Sequence, residues 1–322
     1  MAITAMFPGK IFSGPALKPG TFDLEMSAKN ISTNNATTHS PSGPPAIVLW
    51  HGLGDNYNSG GMKHAAELIS QLLPDTFVHS VYVDEDPSTD ERRSLFGNAN
   101  SELELVCSQL SNMTELKDGF GAIGFSQGGL FLRALVQRCP EIAVSTLVTF
   151  GSPHMGVSEL PICQPPDDWA CKQRNSLLKR QVWQDSVQRT VVPAQYFRDT
   201  AQYDKYLKHS SFLADLNNER VATTDPEAKR RFENLQKLVL VQFDLDTTLV
   251  PKESAFFQER HALTGAIVPM SETRAFKENL FGLRTLHEAD KIEYHTIEAN
   301  HMQFSDDFLT EIVTKYFTVS RA

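Results

Sequence analysis

Short apolar runs alternate with amphipathic helical patterns along most of this chain, and this alternation constrains the fold more than any other feature. Ala46–Trp50 is apolar at every position and is followed by the turn-prone His-Gly-Leu-Gly-Asp, which is typical of a strand covered on both faces. Further strands are predicted at 78–83, around 122–123, and at 146–150, 238–243 and 292–297. Because helical patterns separate most of them, we predict an α/β fold whose mostly parallel sheet carries helices on both faces.

The alternation is interrupted after Phe150, since the next buried strand begins more than eighty residues later. Ordinary connections in α/β units have about 2 to 6 residues, so this segment is predicted to be an insertion with its own structure. Its aromatic and aliphatic residues lie among many charges, which favours a helical lid at about 157–236. Residues 1–45 are rich in polar and turn-forming residues and are predicted to be a flexible leader to one domain at 46–322.

The charge balance excludes some classes of protein. The chain has 322 residues, with 30 basic and 39 acidic side chains and a formal net charge of −9, so nucleic acid is not expected as a partner. No run approaches the roughly 20 apolar residues of a transmembrane helix. The N-terminal residues also lack the order of basic, apolar and small residues that marks a secretory signal.

The sharpest local signal is Gly-Phe-Ser-Gln-Gly-Gly at 124–129, which follows an apolar strand and precedes a helical pattern. In a Gly-x-Ser-x-Gly pentapeptide the serine occupies a strained strand-to-helix turn, and the glycines allow neighbouring backbone to pass. We therefore predict that Ser126 is a nucleophile. The alternative is a tight turn whose serine only caps a helix.

A serine nucleophile needs a base, and His301 is the best placed of the later histidines. His209 lies in the insertion, His261 and His287 lie in charged helix-like segments, and His295 lies within the last predicted strand. His301 follows that strand in a loop, from which a side chain can reach across the carboxyl ends of the strands.

The acid that orients this base should follow the predicted strand at 238–243, because the order in such sites is Ser, then Asp or Glu, then His. Asp244 and Asp246 both qualify. Since the geometry of the loop is unknown at this stage, spacing alone leaves the choice open.

An oxyanion intermediate requires two backbone N–H donors. One is normally the residue after the nucleophile, here Gln127, and the other comes from the loop after an early strand, where Leu53 is the expected donor. The same loop could also be a simple turn. His154 lies near this edge of the predicted sheet, and we expect it to brace a loop through a hydrogen bond.

Four cysteines allow either two disulfides or four buried thiols, and their spacing does not suit zinc. The sequons at Asn30, Asn35 and Asn112 slightly favour a secretory route, whereas the missing signal favours the cytosol.

Several segments stand out together: VLWHGLGD at 48–55, GFSQGG at 124–129, QRCP at 137–140, HSSFLADLN at 209–217 with Glu219-Arg220 just beyond, and HMQ at 301–303. These segments resemble the palmitoyl-protein thioesterase family of α/β-hydrolases, over about residue 45 to the C-terminus. The resemblance implies the α/β-hydrolase fold, with the helical insertion between the sixth and seventh core strands.

The resemblance also assigns residues. It implies Ser126 as nucleophile, His301 as base and Asp246 as acid, because the family's aspartate is the third residue after the phenylalanine that ends the strand. It implies two disulfides, Cys107–Cys139 and Cys163–Cys171.

The activity implied is hydrolysis of palmitoyl and other long-chain acyl thioesters on cysteines of lipidated proteins, with no metal or organic cofactor. The expected partners are S-acylated proteins or peptides, and the expected form is a monomer without a transmembrane segment. The expected location is the lumen of the lysosome or vacuole, or outside the cell. Two alternatives stay open: a carboxylesterase or lipase acting on oxygen esters, and a catalytically inactive lipid-binding protein.

Overall fold

The computed structural model describes residues 45–159, 176 and 179–318, so the predicted leader lies outside the described residues except for Pro45, and so do Cys163 and Cys171. The strands are β1 (Ala46–Trp50), β2 (Val78–Ser80), β3 (Phe120–Phe125), β4 (Val144–Phe150), β5 (Lys237–Phe243), β6 (Glu259–Arg260), β7 (Ile267–Val268) and β8 (Ile292–Ile297). Six of them form one sheet in the order β2-β1-β3-β4-β5-β8, and every neighbouring pair is parallel. The predicted parallel sheet is confirmed, and β6 and β7 form a separate antiparallel pair.

Helices connect these strands. The α-helices with described bounds are α1 (Gly60–Leu72), α2 (Pro87–Leu95), α3 (Ala99–Ser111), α4 (Gln127–Arg138), α5 (Asp185–Thr190), α6 (Val192–Gln195), α7 (Tyr203–His209), α8 (Leu213–Leu216), α9 (Pro226–Glu233), α10 (Arg274–Lys277), α11 (Leu283–Glu288) and α12 (Asp306–Phe317). Short 3₁₀ helices span Thr114–Leu116, Thr200–Gln202, Val221–Thr223, Lys252–Phe256 and Met270–Glu272. Among the described helices, none has both the length and the hydropathy that a membrane span needs.

Both faces of the sheet are covered, as its continuous apolar strands require. Alternate residues of β1 belong to two different cores, with Ile47 and Leu49 on one side and Val48 and Trp50 on the other. The first core is closed by α1 and α12, and the second by α3 and α4. Because the six strands are parallel, they all end at the same edge of the sheet. The loops that carry the predicted site residues begin at this edge.

The predicted strand at 78–83 is shorter in the structure, because β2 ends at Ser80. Its partner β1 ends at Trp50, and the last pair in register is Leu49 with Ser80. Beyond that point Val81 still donates a hydrogen bond to the Leu49 carbonyl (2.8 Å), but β1 extends only one residue further, to Trp50.

The segment between β4 and β5 is the predicted insertion, and α5 to α9 lie within it. Within the described residues it joins the fourth and fifth strands of the sheet along the chain, rather than the sixth and seventh as expected. It packs on α4: the Gln137 side-chain amide donates to the Leu216 carbonyl (3.1 Å), and the ring centroids of Phe131 and Phe212 lie 5.7 Å apart.

Cys107 of α3 and Cys139, directly after α4, form the expected disulfide, with their Cα atoms 5.7 Å apart. The pairing of Cys163 with Cys171 stays a prediction, since both lie outside the described residues. The boundaries of the predicted leader and lid are likewise predictions.

Candidate active site

Ser126 occupies the turn between β3 and α4, with φ 52° and ψ −119°. This backbone conformation is unusual for a residue with a Cβ atom and must be held by its surroundings. The Ser126 N–H donates to the Phe150 carbonyl on β4 (2.7 Å), and the Ser126 carbonyl accepts from the Gly129 N–H (3.1 Å). The neighbouring strand and the first turn of the helix thus hold the strained residue on both sides.

The glycines around Ser126 are required by close backbone approach. A Cβ atom built on Gly124 would lie 2.3 Å from the Cα of Gly129, and one on Gly128 would lie 2.2 Å from the Trp50 carbonyl oxygen. Both distances are far below van der Waals contact, so neither position has room for a side chain. The structure thus shows why this pentapeptide needs both glycines.

Ser126, His301 and Asp246 are linked by hydrogen bonds. His301 Nε2 lies 2.9 Å from Ser126 Oγ, and His301 Nδ1 lies 2.5 Å from Asp246 Oδ2. A carboxylate can only accept, so Nδ1 carries the ring proton and Nε2 is free to accept the proton of the serine hydroxyl. The structure brings the three predicted residues together in the order that nucleophilic catalysis needs.

The structure also distinguishes Asp246 from Asp244. Asp246 Oδ1 accepts from the backbone N–H groups of Thr248 (2.8 Å) and Leu249 (2.9 Å), which leaves Oδ2 facing His301. The Asp244 side chain instead accepts from the amide of Gln242 (3.2 Å). Asp246 is therefore the aspartate that contacts His301, and its role as the acid stays a prediction.

The loop after β1 lies against the serine. A Cβ atom built on Gly52 would lie 3.3 Å from Ser126 Cβ and 4.0 Å from Ser126 Oγ. Gln127 is the first residue of α4, where a backbone N–H has no acceptor within the helix. For Leu53, no backbone acceptor is found among the described residues. Their role as oxyanion donors stays a prediction.

The Gln127 side chain ties the insertion to this site. Its Nε2 donates to the Ser94 carbonyl (3.0 Å), and its Oε1 accepts from the hydroxyl of Tyr196, which belongs to the insertion (3.0 Å). Gln127 and Tyr196 are both buried. The insertion is thus anchored to the residue that follows Ser126.

The other predicted histidines lie apart from these hydrogen bonds. His154 is buried, its Nε2 lies 2.9 Å from Thr149 Oγ1, and its ring stacks on Phe257. Burial, assisted by the charge of Arg133, holds the pKa of His154 well below its usual range. His295 Nε2 lies 2.7 Å from the Tyr316 hydroxyl on α12, as expected for a strand residue facing a helix.

Sequence reasoning missed a buried ion pair beside the loop after β1. His51 Nε2 lies 3.0 Å from Asp90 Oδ2, and both side chains are almost fully buried. The position of His51 within the His-Gly-Leu-Gly segment was a signal. Asp90 carried none, because it lies within the charged helix α2, which the apolar pattern did not predict.

Comparison with known proteins identifies the family. The model of the family described as palmitoyl protein thioesterase matches residues 46–301. This chain belongs to that family. The six-stranded parallel sheet with helices on both faces is the α/β architecture that was expected.

Named relatives of the chain cover most of its length. Palmitoyl-protein thioesterase 1 of Caenorhabditis elegans is 37% identical over 286 residues, which are 88% of this chain and 93% of the relative. The lysosomal thioesterase PPT2 homolog of Drosophila melanogaster is 32% identical, over 76% of this chain and 81% of its own. Palmitoyl-protein thioesterase 3 of Dictyostelium discoideum is 29% identical, over 84% of this chain and 89% of its own.

Proposed function

We propose that the protein hydrolyses long-chain acyl thioesters. Its substrates are lipidated proteins that carry palmitoyl groups on cysteines. The observation that carries this proposal is the continuous hydrogen-bonded chain from Ser126 through His301 to Asp246 in a member of this family. An inactive lipid-binding protein would have no need to keep this chain of hydrogen bonds intact.

In the first step, Ser126 Oγ attacks the carbonyl carbon of the thioester while its proton passes to His301 Nε2. Asp246 holds the ring in the required tautomer and stabilises the imidazolium that forms. The tetrahedral intermediate then collapses, the carbon–sulfur bond breaks, and the cysteine sulfur leaves with the proton from His301. The acyl group remains on Ser126 as an ester.

In the second step, His301 accepts a proton from water, and the resulting hydroxide attacks the acyl ester. The fatty acid leaves, and the proton returns from His301 to Ser126 Oγ. In both steps the backbone N–H groups of Leu53 and Gln127 would hold the negatively charged oxygen. Loss of one such donor typically costs about 10²- to 10³-fold in kcat.

The insertion is proposed to shelter the acyl chain. Its Tyr196 is hydrogen-bonded to the Gln127 side chain, which anchors the insertion at the residue after Ser126 and supports this role. Each buried CH₂ group contributes about 0.8 kcal/mol, so burial of a sixteen-carbon chain would contribute strongly to substrate binding.

We further propose that the protein works as a monomer on S-acylated proteins or peptides, in the lysosome or vacuole lumen or outside the cell. Relatives named as lysosomal thioesterases support that location.

The proposal is tested by comparing turnover of a palmitoyl thioester with that of a short-chain phenyl ester. We expect the thioester to have the higher kcat/KM and Ser126→Ala to lower kcat by about 10³-fold or more. Preference for the short oxygen ester would favour an esterase instead. Binding of acyl chains without any hydrolysis by the wild-type protein would favour a lipid-binding protein.

A further inference from the structure

The imidazole of His51 lies between two hydrogen-bond acceptors. Its Nδ1 lies 3.0 Å from the carbonyl oxygen of Gly52, and its Nε2 lies 3.0 Å from Asp90 Oδ2. A carbonyl oxygen only accepts, so Nδ1 must carry a proton. Nε2 lies within ion-pair distance of the Asp90 carboxylate without being aligned for a hydrogen bond, so the contact attracts a charged ring. The contacts thus favour a positively charged His51.

Asp90 is held as a carboxylate by the surrounding backbone. Its Oδ1 accepts from the N–H of Val83 (2.7 Å), and its Oδ2 accepts from the N–H of Tyr57 (3.0 Å). Burial alone lowers the pKa of His51, but the neighbouring Asp90 outweighs it and raises this pKa overall. Burial likewise raises the pKa of Asp90, and His51 reverses this shift.

Further charges face this pair. Asp55 and Glu102 both act on it, and Arg93 acts on Glu102. Asp90 and Asp55 are two carboxylates against the single cation Arg93, which favours the protonated form of His51.

The Gly52 carbonyl belongs to the same peptide group as the Leu53 N–H. A trans peptide is planar, so its C=O and N–H point in opposite directions, and fixing one fixes the other. The Gly52 oxygen is held by His51 Nδ1 and also accepts from the Asp55 N–H (3.3 Å). This peptide lies beside Ser126, because a Cβ atom built on Gly52 would lie 3.3 Å from Ser126 Cβ.

We propose that His51 and Asp90 are positioning residues that aim the Leu53 N–H at the oxyanion: Asp90 holds His51 in its doubly protonated form, and His51 holds the Gly52 carbonyl. This inference rests on the proposed function, because Leu53 acts as a donor only if Ser126 is acylated through a tetrahedral intermediate. It adds a role for a buried ion pair that touches neither the nucleophile nor the base.

Two variants of His51 separate its two contacts. The Nδ2 atom of asparagine lies as many bonds from the backbone as His Nδ1, whereas the Nε2 atom of glutamine matches His Nε2. His51→Asn therefore keeps a donor for the Gly52 carbonyl, and His51→Gln keeps one only for Asp90. We expect His51→Gln to lower kcat about 10²-fold with KM changed less than about threefold, and His51→Asn to retain at least about tenfold more kcat than His51→Gln.

Equal kcat in the two variants, or a loss confined to KM, would overturn the proposal. The exposed His287, changed to asparagine, is the matched control and should leave kcat within about twofold of wild type. If His51→Gln does not fold, Asp90→Asn replaces it. A neutral His51 would then share its proton between Nδ1 and Nε2, so kcat should fall about tenfold at constant KM, and an unchanged kcat would overturn the proposal.

A second readout separates this inference from the proposed function. The rate at which a fluorophosphonate labels Ser126 also depends on the oxyanion donors but not on the natural substrate. Wild-type protein that is labelled rapidly yet does not cleave palmitoyl thioesters would refute the proposed function alone. Equal labelling rates for wild type and a folded His51→Gln variant would refute the positioning role alone.

Discussion

His301 Nε2 lies 2.9 Å from Ser126 Oγ, although 175 residues separate the two along the chain. The contact arises because β3 and β8 are parallel members of one sheet, so the residues that follow them meet at the same edge. Asp246 follows β5, which lies between β3 and β8 along the chain, and it contacts His301 at this same edge.

Asp246 and Asp244 form a matched pair for testing the role of the acid. Asp246→Asn should lower kcat by about 10³- to 10⁴-fold, because an amide can force the wrong tautomer on His301. Asp244→Asn should change kcat less than about twofold, since within the described part of the chain its side chain makes polar contacts with Gln242 and, at 3.9 Å, Lys252. Steady-state kinetics on a palmitoyl thioester measures both. Similar losses in the two variants would contradict the assignment.

The glycine after Gln127 should tolerate no side chain. Gly128→Ala is expected to lower the free energy of unfolding by about 3 kcal/mol or more, because its Cβ would lie 2.2 Å from the Trp50 carbonyl oxygen. Gly60→Ala is the control: nothing lies within 4 Å of its Cβ, and we expect a change between zero and about +1 kcal/mol. Urea denaturation followed by circular dichroism gives both values. A stable and active Gly128→Ala protein would refute the close approach.

Glu102 should make stability depend on pH. Burial raises its pKa from 4.5 to about 7, with partial opposition from the charge of Arg93. The folded state therefore binds the proton more tightly than the unfolded state. The stabilisation is fully present below about pH 4.5 and is lost as the pH rises through about 7, a fall on the order of 3 kcal/mol.

The glutamine variant tests this dependence. Glu102→Gln should remove this part of the pH dependence, whereas Glu104→Gln, at an exposed position on the same helix, should leave it unchanged. The free energy of unfolding at pH 5 and pH 8 is the measurement. If Glu102→Gln retains the full wild-type difference between the two pH values, another group is responsible.

The Cys107–Cys139 disulfide should stabilise the fold without taking part in catalysis. It closes a loop with a sequence separation of 32, for which the chain-entropy model gives about 3 to 4 kcal/mol. The double variant Cys107→Ser with Cys139→Ser should lose about this much free energy of unfolding and keep its kcat at temperatures where it remains folded. Guanidinium denaturation and steady-state kinetics test the two parts. An unchanged free energy of unfolding would rule out the stabilising role.

Much of the fold could be predicted because each part of it has a local physical signature. β1 is apolar at every position because two cores cover it. The strand-to-helix turn at Ser126 needs glycines, and these appear in the sequence. His301 could be selected by its loop position alone. These features depend on neighbours in the chain or on a single sheet edge, so they can be inferred before any tertiary contact is known.

Other features depend on contacts that no local pattern encodes. Spacing left Asp244 and Asp246 equivalent, because the turn that directs only one of them at His301 is made by the backbone of Thr248 and Leu249. The shorter β2 reflects the end of its partner rather than its own sequence. The buried partner of His51 could not be predicted either, because Asp90 lies in a helix with little apolar character.

The insertion leaves the sheet after β4 and returns at β5, and these two strands are immediate neighbours. Its start and its finish are therefore fixed by a single strand pair, whatever path the chain follows in between. The length of such a segment can vary without altering the spacing of β4 and β5, but Phe212, Leu213 and Leu216 belong to the core under α4 and must be retained. On the proposed function, changes in this segment should alter which acyl chains the protein accepts, provided that Tyr196 and its hydrogen bond to Gln127 are kept.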